Sequence, residues 1–297
     1  MSFPFEYDHG APQMFGGAMP VLPSFDEARA VILPVPLERT TSYGGGTRRG
    51  PQAILEASTH MELWDEEVGV DIHDVGIFTL PVMEFPHGEL GPTMDEIRRV
   101  AEEIVRRDKF LVTLGGEHSV TPPLVAATAS VHRDLAVLQI DAHADLRETY
   151  MGTPHNHACA MYASRPHASI TQVGIRSLST EEAQAADSLG TRIFYDWNMR
   201  DDPAWMERVV ESLGDRPVYI TIDVDGLDPA IMPSTGTPEP GGLSWREILR
   251  LLRLTFNSRR VVACDVVELS PVPGLHAPDF LCAKLVYKLL TYQFSRR

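Results

Sequence analysis

The sequence predicts an α/β protein in which helices cover both faces of a parallel sheet. Short apolar runs alternate with longer amphipathic segments along the 297 residues, and this alternation is typical of βαβ units. The runs are rich in Val, Ile and Leu without polar alternation, as expected of strands buried on both faces. The predicted strands are Ala30–Val35, Phe110–Leu114, Leu135–Ile140, Thr171–Gly174, Thr191–Tyr195, Val218–Ile222 and Val261–Val267.

Capping residues predict where several helices begin. Thr93, Ser179 and Ser244 are each followed three residues later by Glu, a pattern that satisfies free backbone N–H groups at a helix start. Pro51 predicts another start, because proline is favoured in the first turn. The predicted helices are 52–58, 97–107, 183–189, 248–254 and Ala277–Phe294. Since no repeat or linker interrupts the pattern, we predict one domain over residues 1–297, with an extended segment over 1–28.

The composition restricts the class of partner. The 41 acidic and 26 basic residues give a formal net charge of −15, which repels nucleic acids and acidic membranes but not a small cation. Three cysteines without a C-x-x-C motif are expected to be buried thiols in a reducing compartment. The sequence shows no secretory signal and no run near the roughly 18 apolar residues that cross a bilayer. A cytoplasmic protein is therefore expected.

Three of the predicted strands end in clusters of acidic residues and histidines. The clusters are Gly115-Gly-Glu-His118-Ser, Asp141-Ala-His143-Ala-Asp145 and Asp223-Val-Asp225-Gly-Leu-Asp228. Residues two apart in an extended segment point to the same side, and ligands gather beyond the carboxyl ends of parallel strands. We therefore expect these side chains to converge.

Converging carboxylates and imidazoles predict a metal site. Their mutual repulsion is costly unless a cation compensates it. Four carboxylates and two histidines without a thiolate favour a hard ion such as Mn²⁺ over a structural zinc. Because a carboxylate can bridge two ions, six side chains suffice for a pair about 3.5–4 Å apart. Such a centre stays slightly negative and attracts a guanidinium.

Each cluster also has a simpler explanation when it is taken alone. A glycine turn, a helix cap or a calcium loop would explain one of them, although the third cluster lacks the later ligands of an EF-hand. The three clusters together, each closing a buried strand, favour the metal site. The segment Asp71-Ile-His-Asp74 also contains ligand-type residues, but it stands outside the pattern and is expected to be a solvated loop.

With these motifs, the chain resembles the ureohydrolase superfamily of arginases and agmatinases, and the agmatinase branch in particular. Further matching segments are 40–51, 172–177, 236–242 and 265–271. The resemblance implies a three-layer α/β/α sandwich with a mainly parallel central sheet, usually assembled as trimers or hexamers. It implies two Mn²⁺ per subunit, the first bound by His118, Asp141, Asp145 and Asp223 and the second by Asp141, His143, Asp223 and Asp225.

The resemblance also implies catalytic roles. Glu268 is expected to form a salt bridge with the substrate guanidinium, a planar group that pairs well with a carboxylate. His157, which precedes the small residue Ala158, matches the family's proton-shuttling histidine better than His155 does. Asp145 is expected to carry the proton from the nucleophile. Glu117 and Thr221 replace an aspartate and a serine that are common in the family.

The expected substrate is a small cationic guanidino compound. The segment before His157 resembles the agmatinase form, so agmatine hydrolysis to putrescine and urea is predicted, with Tyr150 and Met151 beside the aliphatic chain. Guanidinobutyrate and arginine are the alternative substrates. A single-zinc deacetylase and a metal-bound homologue without activity are the alternatives from other classes.

Overall fold

One sheet of eight parallel strands runs through the described part of the chain. The structure is a computed structural model that describes residues 3–9, 13–17, 23–86 and 88–295. In chain order the strands are β1 (Ala30–Val35), β2 (Ile77–Thr79), β3 (Phe110–Gly115), β4 (Leu135–Ile140), β5 (Ala168–Ile175), β6 (Arg192–Tyr195), β7 (Pro217–Asp223) and β8 (Arg260–Val267). Their order across the sheet is β2-β1-β3-β8-β7-β4-β5-β6, and each pair of neighbours is parallel.

Helices connect the strands, as parallel crossovers require. The α-helices are α1 (Gly50–Ser58), α2 (Leu90–Val105), α3 (Thr121–Val131), α4 (Ala160–Ser164), α5 (Thr180–Ala185), α6 (Asp196–Met199), α7 (Trp205–Ser212), α8 (Trp245–Ser258) and α9 (Ala277–Phe294).

Two hydrophobic cores lie on opposite faces of the sheet. Within β1, Ala30 and Ile32 belong to one core, which also contains residues of α1, α7, α8 and α9. The alternating residues Val31 and Leu33 belong to the other core, which contains residues of α2, α3 and α4. Because successive side chains of a strand point to opposite faces, this division places one helical layer on each side. The predicted three-layer α/β/α sandwich with a parallel sheet is confirmed.

Two of the predicted capping boxes are present, and one prediction is wrong. The side chains of Ser179 and Ser244 each accept the backbone N–H of the Glu three residues later. Thr93, in contrast, is a buried residue within the first turn of α2, which begins at Leu90. Pro92 does not prevent this earlier start, because the first-turn N–H groups have no partner within the helix.

The other predicted strands and helices are present, several with shifted bounds, for example α5, which ends at Ala185 rather than at 189, but α3, α4, α6, α7 and one short strand were not predicted. Pro51 lies in the first turn of α1, and α9 has the predicted bounds. The three-residue strand β2 at the edge of the sheet was not predicted. A strand of this length gives too few residues for a recognisable apolar pattern.

The predicted extended segment over residues 1–28 lies partly outside the described residues. Within its described part, Tyr7 donates a hydrogen bond to the carbonyl of Pro81 at 2.6 Å, and Phe5 packs edge-on against Phe25. The three cysteines are buried and unpaired with one another. Among the described residues, none of the helices has the length and apolar character needed to cross a membrane. The single-domain organisation stays a prediction, which the single sheet supports.

Candidate metal centre and active site

The candidate site lies at the carboxyl ends of four neighbouring strands in the middle of the sheet. Strands β3, β8, β7 and β4 are adjacent. His118 follows β3 in a short 3₁₀ turn, Asp141 directly follows β4, Asp223 is the last residue of β7, and Glu268 directly follows β8. The parallel arrangement therefore brings together side chains that are up to 150 residues apart in sequence.

A row of buried polar residues crosses the sheet beneath this site. Paired residues on five adjacent strands form the row, in the order Gln172, Gln139, Thr221, Asp265 and Thr113, and all five are fully buried. Gln172 donates to Gln139, and Gln139 donates to Asp141 Oδ2 at 2.5 Å. The row therefore holds Asp141 from below.

His118 is surrounded by carboxylate oxygens. Its Nδ1 lies 2.9 Å from Asp145 Oδ2, 3.1 Å from Asp141 Oδ2 and 3.4 Å from Asp223 Oδ2. The imidazole is fully buried. This Nδ1 atom makes no hydrogen bond of acceptable geometry, so it lies close to three carboxylates without hydrogen bonding to any of them.

The opposite ring nitrogen of His118 explains that orientation. Thr221 donates its hydroxyl hydrogen to Asp265 Oδ1 at 2.6 Å, so its oxygen accepts from His118 Nε2 at 2.9 Å. Asp265 is held as an acceptor by Tyr219 and Thr121, which donate to its Oδ2 at 2.6 and 2.9 Å. With a hydrogen on Nε2, the Nδ1 atom of His118 faces three carboxylates, an arrangement that requires positive charge. Burial lowers the pKa of His118, but those three carboxylates outweigh it and hold that pKa well above its usual value.

A second group of ligand atoms adjoins the first. His143 Nδ1 lies 2.9 Å from Asp225 Oδ2 and 3.7 Å from Asp141 Oδ1. Among the described residues, two groups have ligand atoms close enough to hold a metal ion: His118, Asp141 and Asp145 form one, and Asp141, His143 and Asp225 form the other. Asp141 presents Oδ2 to one group and Oδ1 to the other, so it is the residue that the two groups share. Asp223 faces the first group, and its Oδ1 accepts the backbone N–H of Asp225 at 2.9 Å.

The electrostatics of the protein alone show how strongly the site requires positive charge. Burial, and after it the charges of Asp225 and Asp141, raise the pKa of Asp223 well above its usual value. Burial and Asp141 raise the pKa of Asp145 to about 7. Burial lowers the pKa of His143, but Asp225 and Asp141 outweigh it and raise that pKa to about 12. In the protein alone, protons bound to these side chains supply the positive charge that metal ions would otherwise supply. Metal binding would release these protons.

Glu268 and His157 lie beside this centre. Glu268 Oε1 accepts the backbone N–H of His118 at 2.7 Å and lies 3.8 Å from His157 Nδ1. Burial, followed by the charges of His118 and His143, lowers the pKa of His157 to about 4. His155 is exposed and lies in a different cleft. The structure therefore brings His157, rather than His155, to the site.

Two of the site carboxylates have unusual backbone conformations. Asp145 and Glu268 have φ angles of 52° and 65°, in the left-handed region that residues other than glycine rarely adopt. Such conformations concentrate at functional sites, where the surrounding structure holds them in place. Here they turn both side chains towards the same centre.

A cavity of about 140 Å³ opens onto these side chains. Its walls include His143, Asp145, His157, Asp223, Asp225 and Glu268, together with Arg147 and Tyr150. The guanidinium of Arg147 stacks on the Tyr150 ring at 4.8 Å. Met151 is not part of the cavity wall and is 67% exposed. The structure thus brings Tyr150 to the cavity but does not bring Met151 there.

Sequence reasoning missed several supporting residues. The guanidinium of Arg176 donates to five backbone carbonyls, those of Gly174, Asp225, Leu227, Glu239 and Pro240. It thereby ties the Asp225 turn to the loop at 236–242, where Glu239 Oε1 lies 3.7 Å from His143 Nε2. The sequence does contain a signal that could have identified Gln139, since it is the one strongly polar residue in the apolar strand β4.

Comparisons with known proteins agree with this geometry. The Arginase family model matches residues 28–291, so the chain belongs to the arginase family. A relative named N(1)-aminopropylagmatine ureohydrolase, from Synechocystis sp., is 39% identical over 91% of this chain and 90% of its own. An agmatinase from Bacillus cereus is 36% identical over 84% of this chain and 86% of its own.

A solved structure supports the same assignment. The agmatine ureohydrolase of Thermoplasma volcanium superimposes with a TM-score of 0.84 and 30% identity, covering 92% of both chains. The protein is therefore an agmatinase-like ureohydrolase, a hydrolase of C–N bonds in guanidino compounds.

Proposed function

We propose that the protein hydrolyses agmatine to putrescine and urea with two Mn²⁺ per subunit. The observation that carries this proposal is the junction of the two ligand groups at Asp141, at a cavity that Glu268 and His157 also line. A single-zinc deacetylase would need only one of the two ligand groups, each of which contains a histidine. A homologue without activity would not need Glu268 and His157 beside them.

The ligand atoms fit a pair of hard divalent ions. His118, Asp141, Asp145 and Asp223 would hold one ion, and Asp141, His143, Asp223 and Asp225 the other. The unpaired Nδ1 of His118 supports this assignment, and carboxylate-rich ligands without thiolates favour Mn²⁺. When bound, the two ions lower the pKa of a water towards neutrality and so supply the hydroxide nucleophile.

The remaining residues act on the substrate and its protons. Glu268 pairs with the guanidinium and holds its central carbon at the metal centre, as a buried carboxylate can do for a planar set of N–H donors. Asp145 takes the proton that the nucleophile loses. His157 relays a proton between the cavity and solvent, so that the amine leaves in a protonated form.

The cavity and the relatives support two candidate substrates in particular, with guanidinobutyrate and arginine as the alternatives. The Tyr150 ring supports agmatine, because it forms part of the cavity wall and an apolar ring suits a methylene chain. N(1)-aminopropylagmatine is the second candidate, because the relatives with that name are 39% identical to this chain, against 36% for the B. cereus agmatinase. It carries the same guanidinium on a longer cationic chain.

Urea release from a substrate panel tests the proposal. The purified protein, loaded with Mn²⁺, would be given agmatine, N(1)-aminopropylagmatine, guanidinobutyrate and arginine at equal concentrations. We expect the highest kcat/KM with agmatine and metal-dependent release with no more than two ions per subunit. A higher kcat/KM with N(1)-aminopropylagmatine would replace agmatine by the second candidate. Absence of urea with all four compounds in fully metal-loaded protein would reject the proposed activity.

We also propose that the enzyme works in the cytoplasm as a homo-oligomer, a trimer or a hexamer. The three buried, unpaired cysteines support a reducing compartment. Light scattering of the purified protein would measure the subunit number directly.

A further inference from the structure

The backbone at His157 is held by a residue that lies far away in sequence. His157 begins a 3₁₀ turn, His157–Cys159, and the first N–H groups of such a turn have no partner within it. Asn156 accepts the N–H of Ala158 through its side chain at 3.0 Å. The N–H of His157 itself donates to Thr40 Oγ1 at 3.0 Å. The Thr40 hydroxyl thus fixes where this turn begins.

A buried carboxylate sets the orientation of that hydroxyl. Glu117 is fully buried, and it accepts from the N–H groups of Arg39 and Thr40 at 2.8 and 2.6 Å. It also accepts from the hydroxyls of Thr40 and Ser119 at 2.9 and 2.6 Å. Because a carboxylate only accepts hydrogen bonds, the Thr40 hydrogen points to Glu117 and leaves an oxygen lone pair for His157.

The same relay connects two parts of the active site. Glu117 directly precedes the candidate metal ligand His118 in the chain, and His157 contacts Glu268, which in turn accepts the N–H of His118. The segment with His157 is therefore tied to the segment with His118 on two sides. We propose that Thr40, oriented by Glu117, is a positioning residue that fixes His157 for proton transfer. This inference rests on the proposed role of His157.

Matched substitutions test the relay. Thr40→Val keeps the side-chain shape and removes the hydroxyl, whereas Thr40→Ser retains it. Ser119→Ala removes another hydroxyl that donates to Glu117 rather than to the His157 backbone, and serves as the control. We expect Thr40→Val to lower kcat about 10- to 100-fold, the range for a misplaced catalytic group, with KM and metal content nearly unchanged. Thr40→Ser and Ser119→Ala should stay within about threefold of the parent.

A double substitution separates positioning from a general structural effect. If Thr40 acts through His157, adding Thr40→Val to a His157→Asn variant should cause no further loss of kcat. An additive loss, or equal losses in Thr40→Val and Ser119→Ala, would overturn the inference.

Hydrogen exchange gives a readout that does not depend on activity. Mass spectrometry should show faster amide exchange in the peptide containing His157 for Thr40→Val, but not for Thr40→Ser or Ser119→Ala. Unchanged exchange would contradict the hydrogen bond on which the relay depends. If the parent released no urea from any guanidine, the proposed function would fail, while the exchange result would still decide whether Thr40 holds His157.

Discussion

Two buried clusters of charged side chains differ in the source of their positive charge. At the carboxyl end of the sheet, five carboxylates lie within the candidate site, and within the described part of the chain their ion pairs involve only histidines. The second cluster joins residues 65–67 to α9. There, Lys288 Nζ lies 2.9 Å from Asp65 Oδ1 and 3.1 Å from Glu67 Oε2, and the Tyr292 hydroxyl donates to Glu67 at 2.6 Å.

This difference separates a structural cluster from a binding site. A buried charge is tolerated when it is paired and hydrogen-bonded, and Lys288 provides that pairing from within the chain. Among the residues that the structure describes, the carboxylates around Asp141 have no lysine or arginine partner, so they depend on a cation from outside. The location of the missing charge therefore identifies the metal site more reliably than the number of acidic residues does.

Removing a ligand from the uncompensated cluster should give the largest functional effect. We expect Asp223→Asn to lose bound metal and to lower kcat/KM about 10⁴-fold, because metal ions contribute several kcal/mol to such reactions. Since the substitution also removes repulsion, the metal-free variant should unfold at the same or a higher temperature than the metal-free parent. Metal analysis, urea assays and calorimetry measure the three effects.

Asp228→Asn is the matched control. Asp228 belongs to the same sequence motif, but its Oδ1 accepts the N–H of Ala230 at 2.8 Å, a bond that an asparagine can retain. Activity and metal content close to those of the parent are expected. A comparable loss of activity and metal in this variant would show that any substitution in this motif disrupts the site. The effect of Asp223→Asn could then not be assigned to a lost metal ligand.

Removing the internal cation Lys288 should lower stability and leave metal binding and activity unchanged, the reverse of the effects expected for Asp223→Asn. Lys288→Met leaves Asp65 buried without its charge partner, so the free energy of unfolding should fall by about 3–5 kcal/mol. The folded fraction should keep its metal content and kcat. Lys284→Met, on the same helix but with its Nζ at the surface near the Glu62 carbonyl, should change stability by less than about 0.5 kcal/mol. Loss of metal from folded Lys288→Met would refute the separation of the two clusters.

Glu268→Gln tests a carboxylate of the site that is not assigned to a metal. Its loss of charge should weaken guanidinium binding and positioning and lower kcat/KM about 100- to 1,000-fold, while both ions remain bound. Unchanged turnover would remove Glu268 from the mechanism. A reduced metal content would instead assign it to the ligand set.

The sequence predicted much of the fold because the pattern along each strand is local. Seven of the eight strands were recognised from apolar runs, and the exception, β2, has only three residues. The ends of β3, β4 and β7 indicated where the candidate ligands lie, since their polar residues directly follow the apolar runs. Thr93 was misassigned because a capping pattern does not exclude a helix start three residues earlier.

The supporting residues were harder to predict because they depend on pairing between strands. Gln139, Thr221 and Asp265 are single polar residues within apolar strands, and nothing within one strand shows that they align in register. The bonds from Thr40 to His157 and from Arg176 to the 236–242 loop join distant segments. Such contacts follow from the three-dimensional structure alone.

Metal addition should give the smallest of these effects and compares the two clusters directly. At 100 times its dissociation constant, Mn²⁺ should stabilise the parent by about 2.7 kcal/mol, which raises Tm by roughly 5 °C for a chain of this size. Lys288→Met should show a shift of similar size from a lower starting Tm, because its metal site is intact. Asp223→Asn should show a much smaller shift. The carboxylate cluster should hold Mn²⁺ less tightly once it has lost a ligand. If Mn²⁺ raised the Tm of Asp223→Asn as much as that of the parent, at the same protein concentration, the ion would have to bind elsewhere.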